Sequence, residues 1–142
     1  MPNYDPNNIF TKIMKGEIPC YKLHEDANTL AFLDIMPQAD GHSLVIPKNG
    51  SRNLLTANPE DLAHCMVSVQ LIANAVRRAF QAEGVLIQQF NEPAAGQTVF
   101  HTHFHVIPRH EGQALRGHVS EMQKSEILSQ HAEMIRAALH QS

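Results

Sequence analysis

Three histidines recur at alternate positions in the run Phe100-His101-Thr102-His103-Phe104-His105-Val106-Ile107-Pro108-Arg109. Imidazole ligates metals, carries protons near neutral pH and attacks electrophiles. The spacing predicts a strand from Val99 to Ile107, ended by Pro108. Along a strand, successive side chains face opposite ways. His101, His103 and His105 are therefore expected on one face, with Thr102, Phe104 and Val106 on the other, toward the core.

Two chemistries suit such a row. In the first, the histidines ligate a metal such as zinc. At a rise of ~3.3 Å per residue, His101 and His105 stand ~13 Å apart at the backbone. Nitrogen ligands sit ~2.0–2.1 Å from one zinc ion. Two of the three reach one ion; all three do not without a bend, so a further ligand must come from elsewhere. In the second chemistry, one imidazole nitrogen is a nucleophile while the other keeps its proton against an acceptor. Flanking histidines then position the substrate or protonate a leaving group. This needs an anion cradle, and the loop Ala94-Ala95-Gly96-Gln97-Thr98 offers backbone N–H groups, an amide and a hydroxyl. A solvated face with chance histidines explains one His-x-His better than three in register.

The elements that hold this row follow from pattern. Ile9, Phe10 and Ile13 share a face of a short helix over 8–15, stopped by Gly16. Tyr21–His24 and Thr29–Asp34 read as strands joined by a turn at Glu25-Asp26-Ala27-Asn28. Leu44-Val45-Ile46 before Pro47 reads as a third strand. Asn58 is a good N-cap, Pro59 suits the first helical position, and Glu60 and Asp61 favour the positive helix end. The helix predicted there runs to Ala82, with Leu62, Met66, Val69, Ile72, Ala73, Val76 and Phe80 as its apolar stripe and Gly84 as its stop. Val85–Phe90 is a strand, 91–98 a loop, and 125–140 a last helix with Leu128, Ala132, Ile135 and Leu139 on one face. Hairpins and short connections make this an α+β fold, an antiparallel sheet with helices packed on it.

Composition narrows the function classes. The 142 residues suit one domain, with 43% apolar residues and a formal net charge of −3. That balance argues against a nucleic-acid binder. Histidine is the outlier, at 10 against 11 Lys plus Arg. Cys20 and Cys65 form no motif and read as reduced thiols. The segment 1–8 lacks the basic and apolar regions of a secretory signal. No run reaches the ~18 apolar residues of a membrane span. The expected setting is the cytoplasm, with no membrane partner.

At the triad, His101-Thr102-His103-Phe104-His105-Val106-Ile107, the sequence resembles the histidine triad (HIT) family of nucleotide hydrolases and transferases. Thr102 stands where the family motif has an apolar residue; its β-branched side chain still suits a strand. The resemblance extends through Ile9-Phe10-Thr11-Lys12-Ile13, Gly16-Glu17-Ile18-Pro19, Ala31-Phe32-Leu33-Asp34-Ile35, Pro37-Gln38-Ala39, Gly41-His42-Ser43-Leu44-Val45-Ile46-Pro47-Lys48 and Gly96-Gln97-Thr98. It implies a HIT domain over 8–117, with 118–142 as a helical C-terminal extension. It also implies a five-stranded sheet, joined to that of a second copy as ten strands in a homodimer.

The resemblance further implies roles. His103 would be the nucleophile that takes up a nucleoside monophosphate, and His101 would orient it. His105 would sit by the α-phosphate and leaving group, with Thr98 as a hydroxyl donor. Gly96 and Gln97 would hold phosphate oxygens, Asn91 phosphate or ribose, and Asp34 the ribose hydroxyls. Ile9, Phe10, Ile13, Phe32 and Ile35 would line an apolar base pocket, and His42 would stand behind the site. Each has an ordinary alternative: core for the apolar residues, a turn for Asp34, a strand end for Asn91, a structural histidine for His42. The other histidines, His24, His64, His110, His118, His131 and His140, are expected at the surface or in packing.

Some bacterial relatives bind structural zinc through a Cys-x-x-Cys pair. Asn8 and Thr11 stand at those places here, so no metal is expected there, and no cofactor is required. The implied activity is hydrolysis of a purine nucleoside phosphoramidate, of an adenosine or guanosine derivative, or of a related nucleotidyl-X compound. It would proceed through a nucleotidyl-histidine. Dinucleoside polyphosphate hydrolysis, nucleotide binding without turnover, and metal binding at the histidines are the alternatives. The dimer helix would be 59–82, with Val67, Ala75 and Ala79 on its second face.

Overall fold

The computed structural model describes residues 2–117 and 121–140. His118 lies outside them. In chain order the elements are α1 (Ile9–Met14), β1 (Lys22–Glu25), β2 (Thr29–Leu33), β3 (Ser43–Pro47), α2 (Pro59–Ala79), β4 (Gly84–Gln88), β5 (Phe104–Arg109) and α3 (Ser125–Leu139). The strands form one antiparallel sheet in the order β1-β2-β3-β5-β4. The α+β expectation holds.

Every residue of β2 and β3 is buried, because helices or loops cover both sheet faces. Alternation splits their side chains. Ala31, Leu33 and Val45, with Phe104 and Val106 of β5, join the α2 and α3 faces in one cluster. Leu30, Phe32, Leu44 and Ile46 face the other way and pack with Phe10 of α1. The second helix is therefore a lid on one face, and the N-terminal helix a lid on the other. The C-terminal helix is no loose appendage: Leu128, Ala132, Ile135 and Ala138 lie in the α2-side core.

Local chemistry sets the element ends. Asn8 caps α1 by accepting from the Phe10 and Thr11 N–H groups. Gly16, at φ +78°, takes the left-handed conformation that ends it. Asp26 Oδ1 accepts from Asn28 N and Thr29 N at 2.8 Å each, which closes the β1–β2 turn. Asn58 caps α2 through Glu60 N.

The structure corrects several boundaries. The second helix stops at Ala79, three residues early; Gln81 takes φ +51° and Ala82 N reaches back to Arg77 O. His110 Nε2 donates to the Phe80 carbonyl at 3.0 Å, satisfying one of the freed acceptors. Gly84 opens β4 rather than stopping the helix. Ala75, expected on an outer face of α2, is fully buried in the core, while Val67 is exposed. Pro108 lies inside β5: the register with β3 ends at Val106, so Pro108 has a strand neighbour only in β4.

The main correction concerns the histidine row. The strand β5 starts at Phe104, not Val99, so only His105 lies in regular strand. The loop after β3 claims the preceding residues. Thr102 N donates to Ser51 O at 2.9 Å, and the two hydroxyls meet at 2.6 Å. Thr102 is thus buried against Ser51 rather than in either apolar cluster.

Candidate active site

His105 pairs across the sheet with Leu44 and Gln88, which places it on the α1 side. His101 and His103 reach that side from the irregular segment before β5, and both are buried. The row therefore bends. The His103 and His105 rings lie 5.1 Å apart, and Phe10 stands edge-on to His103 at 5.0 Å. Phe90 flanks His105 at 5.5 Å.

Hydrogen-bond partners assign the protons. His101 Nε2 lies 3.0 Å from the Pro47 carbonyl, which only accepts, so Nε2 carries the hydrogen. His103 Nδ1 lies 2.6 Å from the carbonyl of His101 and donates to it. In neutral His103 the lone pair is then on Nε2. Burial lowers the His103 pKa, against the opposing pull of that carbonyl, and so favours the neutral ring. Burial also brings His101 down to about 4, with the Pro47 bond opposing and the nearness of a second ionisable ring, His103, adding to the fall.

A second chain runs behind the first. Gln38 N donates to His42 Nδ1 at 3.0 Å, so neutral His42 carries its hydrogen on Nε2. That nitrogen is 2.9 Å from His105 Nδ1 and 3.5 Å from Asp34 Oδ2. His105 Nδ1 accepts, and Nε2 is its proton-bearing nitrogen. Burial raises the pKa of Asp34, while the Met36 N–H bond to Oδ1 works against the rise. Asp34, His42 and His105 offer ligand atoms within 4.8 Å of one another, a set that could also hold a cation.

The loop before the triad differs from the expected cradle. Ala95 N, Gly96 N and Gln97 N donate to Glu92 O, Pro93 O and Glu92 O, so these amides close their own turn. The Gln97 amide is also fully used. Its oxygen accepts from Asn53 Nδ2 and Glu92 N, and its nitrogen donates to Arg52 O and Val99 O. Two donors and two lone pairs are thereby spent. In this arrangement the groups expected to hold phosphate oxygens are engaged within the loop, and Gln97 is one of its buried struts. Glu92, at φ +74°, is held in that strained conformation by Arg52 at 2.8 and 3.0 Å and by Asn53 at 2.7 Å. Asn91 is bound to Leu54 N and to the Gln89 amide, which leaves one of its two N–H donors uncommitted in those bonds. Thr98 is exposed at the loop's end.

Of the expected base-pocket residues, Phe10 and Phe32 are buried and meet edge-to-face at 5.6 Å. Ile9 and Ile35 are 46% and 38% exposed, large for apolar side chains. Ile13 packs partly buried against the same cluster.

Residues 15–112 match the family model for the HIT domain. The chain belongs to the HIT family. It is 40% identical over 122 residues to an Arabidopsis thaliana protein named adenylylsulfatase HINT3, covering 82% of this chain and 62% of that one. The chain thus spans less than two thirds of that relative's length. It is 43% identical over 101 residues to adenosine 5'-monophosphoramidase hnt1 of Schizosaccharomyces pombe, covering 71% and 73%. Among solved structures, a HIT-like protein from Bartonella henselae, described as involved in cell-cycle regulation and holding an unknown ligand, superposes with TM-score 0.89. Its identity is 54%, covering 95% of this chain and 98% of that one.

Within this HIT chain, the places compared above to a Cys-x-x-Cys pair do not suit zinc. Asn8 Nδ2 and Thr11 Oγ1 each lie 3.1 Å from the Tyr4 hydroxyl, an amide and a hydroxyl around a phenol rather than thiolates. Sequence reasoning missed Tyr4, along with Arg52, Asn53 and Glu92. Tyr4 bonds to a residue 97 positions away, and no spacing rule signals such a contact. The Arg52–Glu92 pair is likewise 40 residues apart.

Proposed function

We propose that this protein is a nucleotidyl-X hydrolase that cleaves purine nucleoside phosphoramidates or close analogues through a covalent nucleotidyl-histidine. The tautomer of His103 carries the reading: Nδ1–H is held by a backbone carbonyl, and the Nε2 lone pair belongs to a buried ring whose pKa is lowered. Nε2 of His103 attacks the α-phosphorus, a P–N bond forms, and the P–X bond breaks. His105 Nε2–H supplies the proton to departing X while His105 Nδ1 takes the Nε2 hydrogen of His42, and His42 is reprotonated from solvent beside Asp34, so that no imidazolate is left. Water then attacks phosphorus and gives a proton to His105 Nε2, the P–N bond breaks, and nucleoside monophosphate leaves with His103 restored. The step as written asks for no cofactor.

Asp34 would accept from ribose hydroxyls, and Ile9 and Ile35 would cover a flat base above Phe10 and Phe32. Thr98 and the remaining Asn91 donor would serve the phosphate. The names of the plant and yeast relatives support an adenylyl substrate. The dimer belongs to the same proposal: Met66, Val67 and Leu71 of α2 are exposed and apolar. Gel filtration should give twice the chain mass; elution as a monomer at micromolar concentration would contradict the dimer.

The test is turnover of adenosine 5'-phosphoramidate. Wild type should release AMP and ammonia. His103→Ala should remain folded and lose at least about 10³-fold in kcat, the scale set by loss of a covalent nucleophile. His64→Ala, on the exposed side of α2, should be unchanged.

A further inference from the structure

The hydroxyl of Tyr4 is the meeting point of three side chains. It lies 2.9 Å from His101 Nδ1, 3.1 Å from Thr11 Oγ1 and 3.1 Å from Asn8 Nδ2. The proton directions follow by elimination. His101 Nε2 donates to Pro47 O, so Nδ1 of the neutral ring can only accept. The Tyr4 O–H therefore donates to His101. Asn8 and Thr11 donate to the phenol oxygen, which has two lone pairs to receive them. The Tyr4 and His101 rings sit edge-on, 5.7 Å apart. Space for the phenol comes from Gly50: a Cβ there would collide with the Tyr4 hydroxyl and lie 3.0 Å from His101 Cε1.

We propose that Tyr4 is a positioning residue of the active site: its hydroxyl locks His101 in the Nε2–H tautomer between Pro47 and α1, so that the His101 carbonyl stays on His103 Nδ1. The inference rests on His103 being the nucleophile. Tyr4 touches no reacting atom and acts through His101. It gives the segment 2–8 a catalytic purpose and makes α1 part of the same proton-bonded chain, Asn8 and Thr11 to Tyr4 to His101 to His103. A phenol, an amide and a hydroxyl join the helix to the triad.

The test is ¹⁵N NMR of the imidazole nitrogens beside steady-state kinetics. Wild-type His101 should be protonated at Nε2, with Nδ1 an unprotonated acceptor. Tyr4→Phe removes one oxygen. It should shift the His101 Nδ1 signal and lower kcat about tenfold, one hydrogen bond's worth, with KM within about twofold. Gly50→Ala should lower kcat in the same direction by displacing the phenol, and the double variant should be no worse than the poorer single one. A wild-type His101 protonated at Nδ1 overturns the proposal, whatever the variants do. So does a Tyr4→Phe protein with wild-type kcat, or one whose His101 signals do not move. The underlying reading fails separately, by full turnover in His103→Ala.

Discussion

A single carbonyl decides which nitrogen of His103 can react. Because the His101 carbonyl takes the Nδ1 hydrogen, with the two atoms 2.6 Å apart, the lone pair of the neutral ring is left on Nε2, and burial favours that neutral form. The pH consequence has a definite sign. An ordinary histidine titrates near ~6.5. With its pKa lowered, His103 stays an active base below that, so the acid limb of kcat/KM should fall below about pH 6.5. A limb attributable to His103 at or above that value would contradict the assignment. At this scale much of the site was legible from sequence. Alternate spacing singled out His101, His103 and His105, and it placed Phe104 and Val106 in the core. What pattern could not supply was hydrogen-bond occupancy. Gln97 looks like a phosphate ligand from its neighbours in sequence, yet its four bonds go to Arg52, Asn53, Glu92 and Val99.

The elements were legible where local chemistry fixes them and less so where distant chain competes. Asn8, Asn58 and Asp26 acted as their residue types suggest, since caps and turns are closed by neighbours. The strand start at Phe104 was not legible, because Ser51 O takes the Thr102 N–H and the His101 side chain takes the Pro47 carbonyl, both from residues distant in sequence. The two caps separate stability from function. Asn58→Ala should cost about 1 kcal/mol in urea denaturation and leave turnover unchanged. Asn8→Ala removes a similar cap and also a donor to Tyr4, so it should lower kcat as well. Equal kinetics in the two variants would show that α1 does not support the triad.

Over the whole molecule, the sheet divides labour between its faces. On one side α2 and α3 bury the larger cluster; on the other, α1 and the histidine segment carry the polar machinery above Phe32, Leu44 and Ile46. That arrangement buries imidazoles, and acid should expose the cost. Unfolded His101 takes up a proton near ~6.5, whereas the folded ring resists until about 4. The unfolded state binds more protons in that window, so stability should fall as pH drops from about 6.5 toward 4, on the order of 3 kcal/mol from this residue. His101→Asn should flatten the decline seen in denaturant midpoints; an unchanged slope would refute the His101 contribution.

The most direct test is to catch the intermediate. The protein is mixed with adenosine 5'-phosphoramidate, quenched in alkali within the first turnover, digested and mapped by mass spectrometry. An acid-labile adenylyl group is expected on His103, absent from His103→Ala, which should also release no AMP above background. A folded His103→Ala protein that releases AMP at the wild-type rate, or an adduct carried by another histidine, would contradict His103 as the nucleophile.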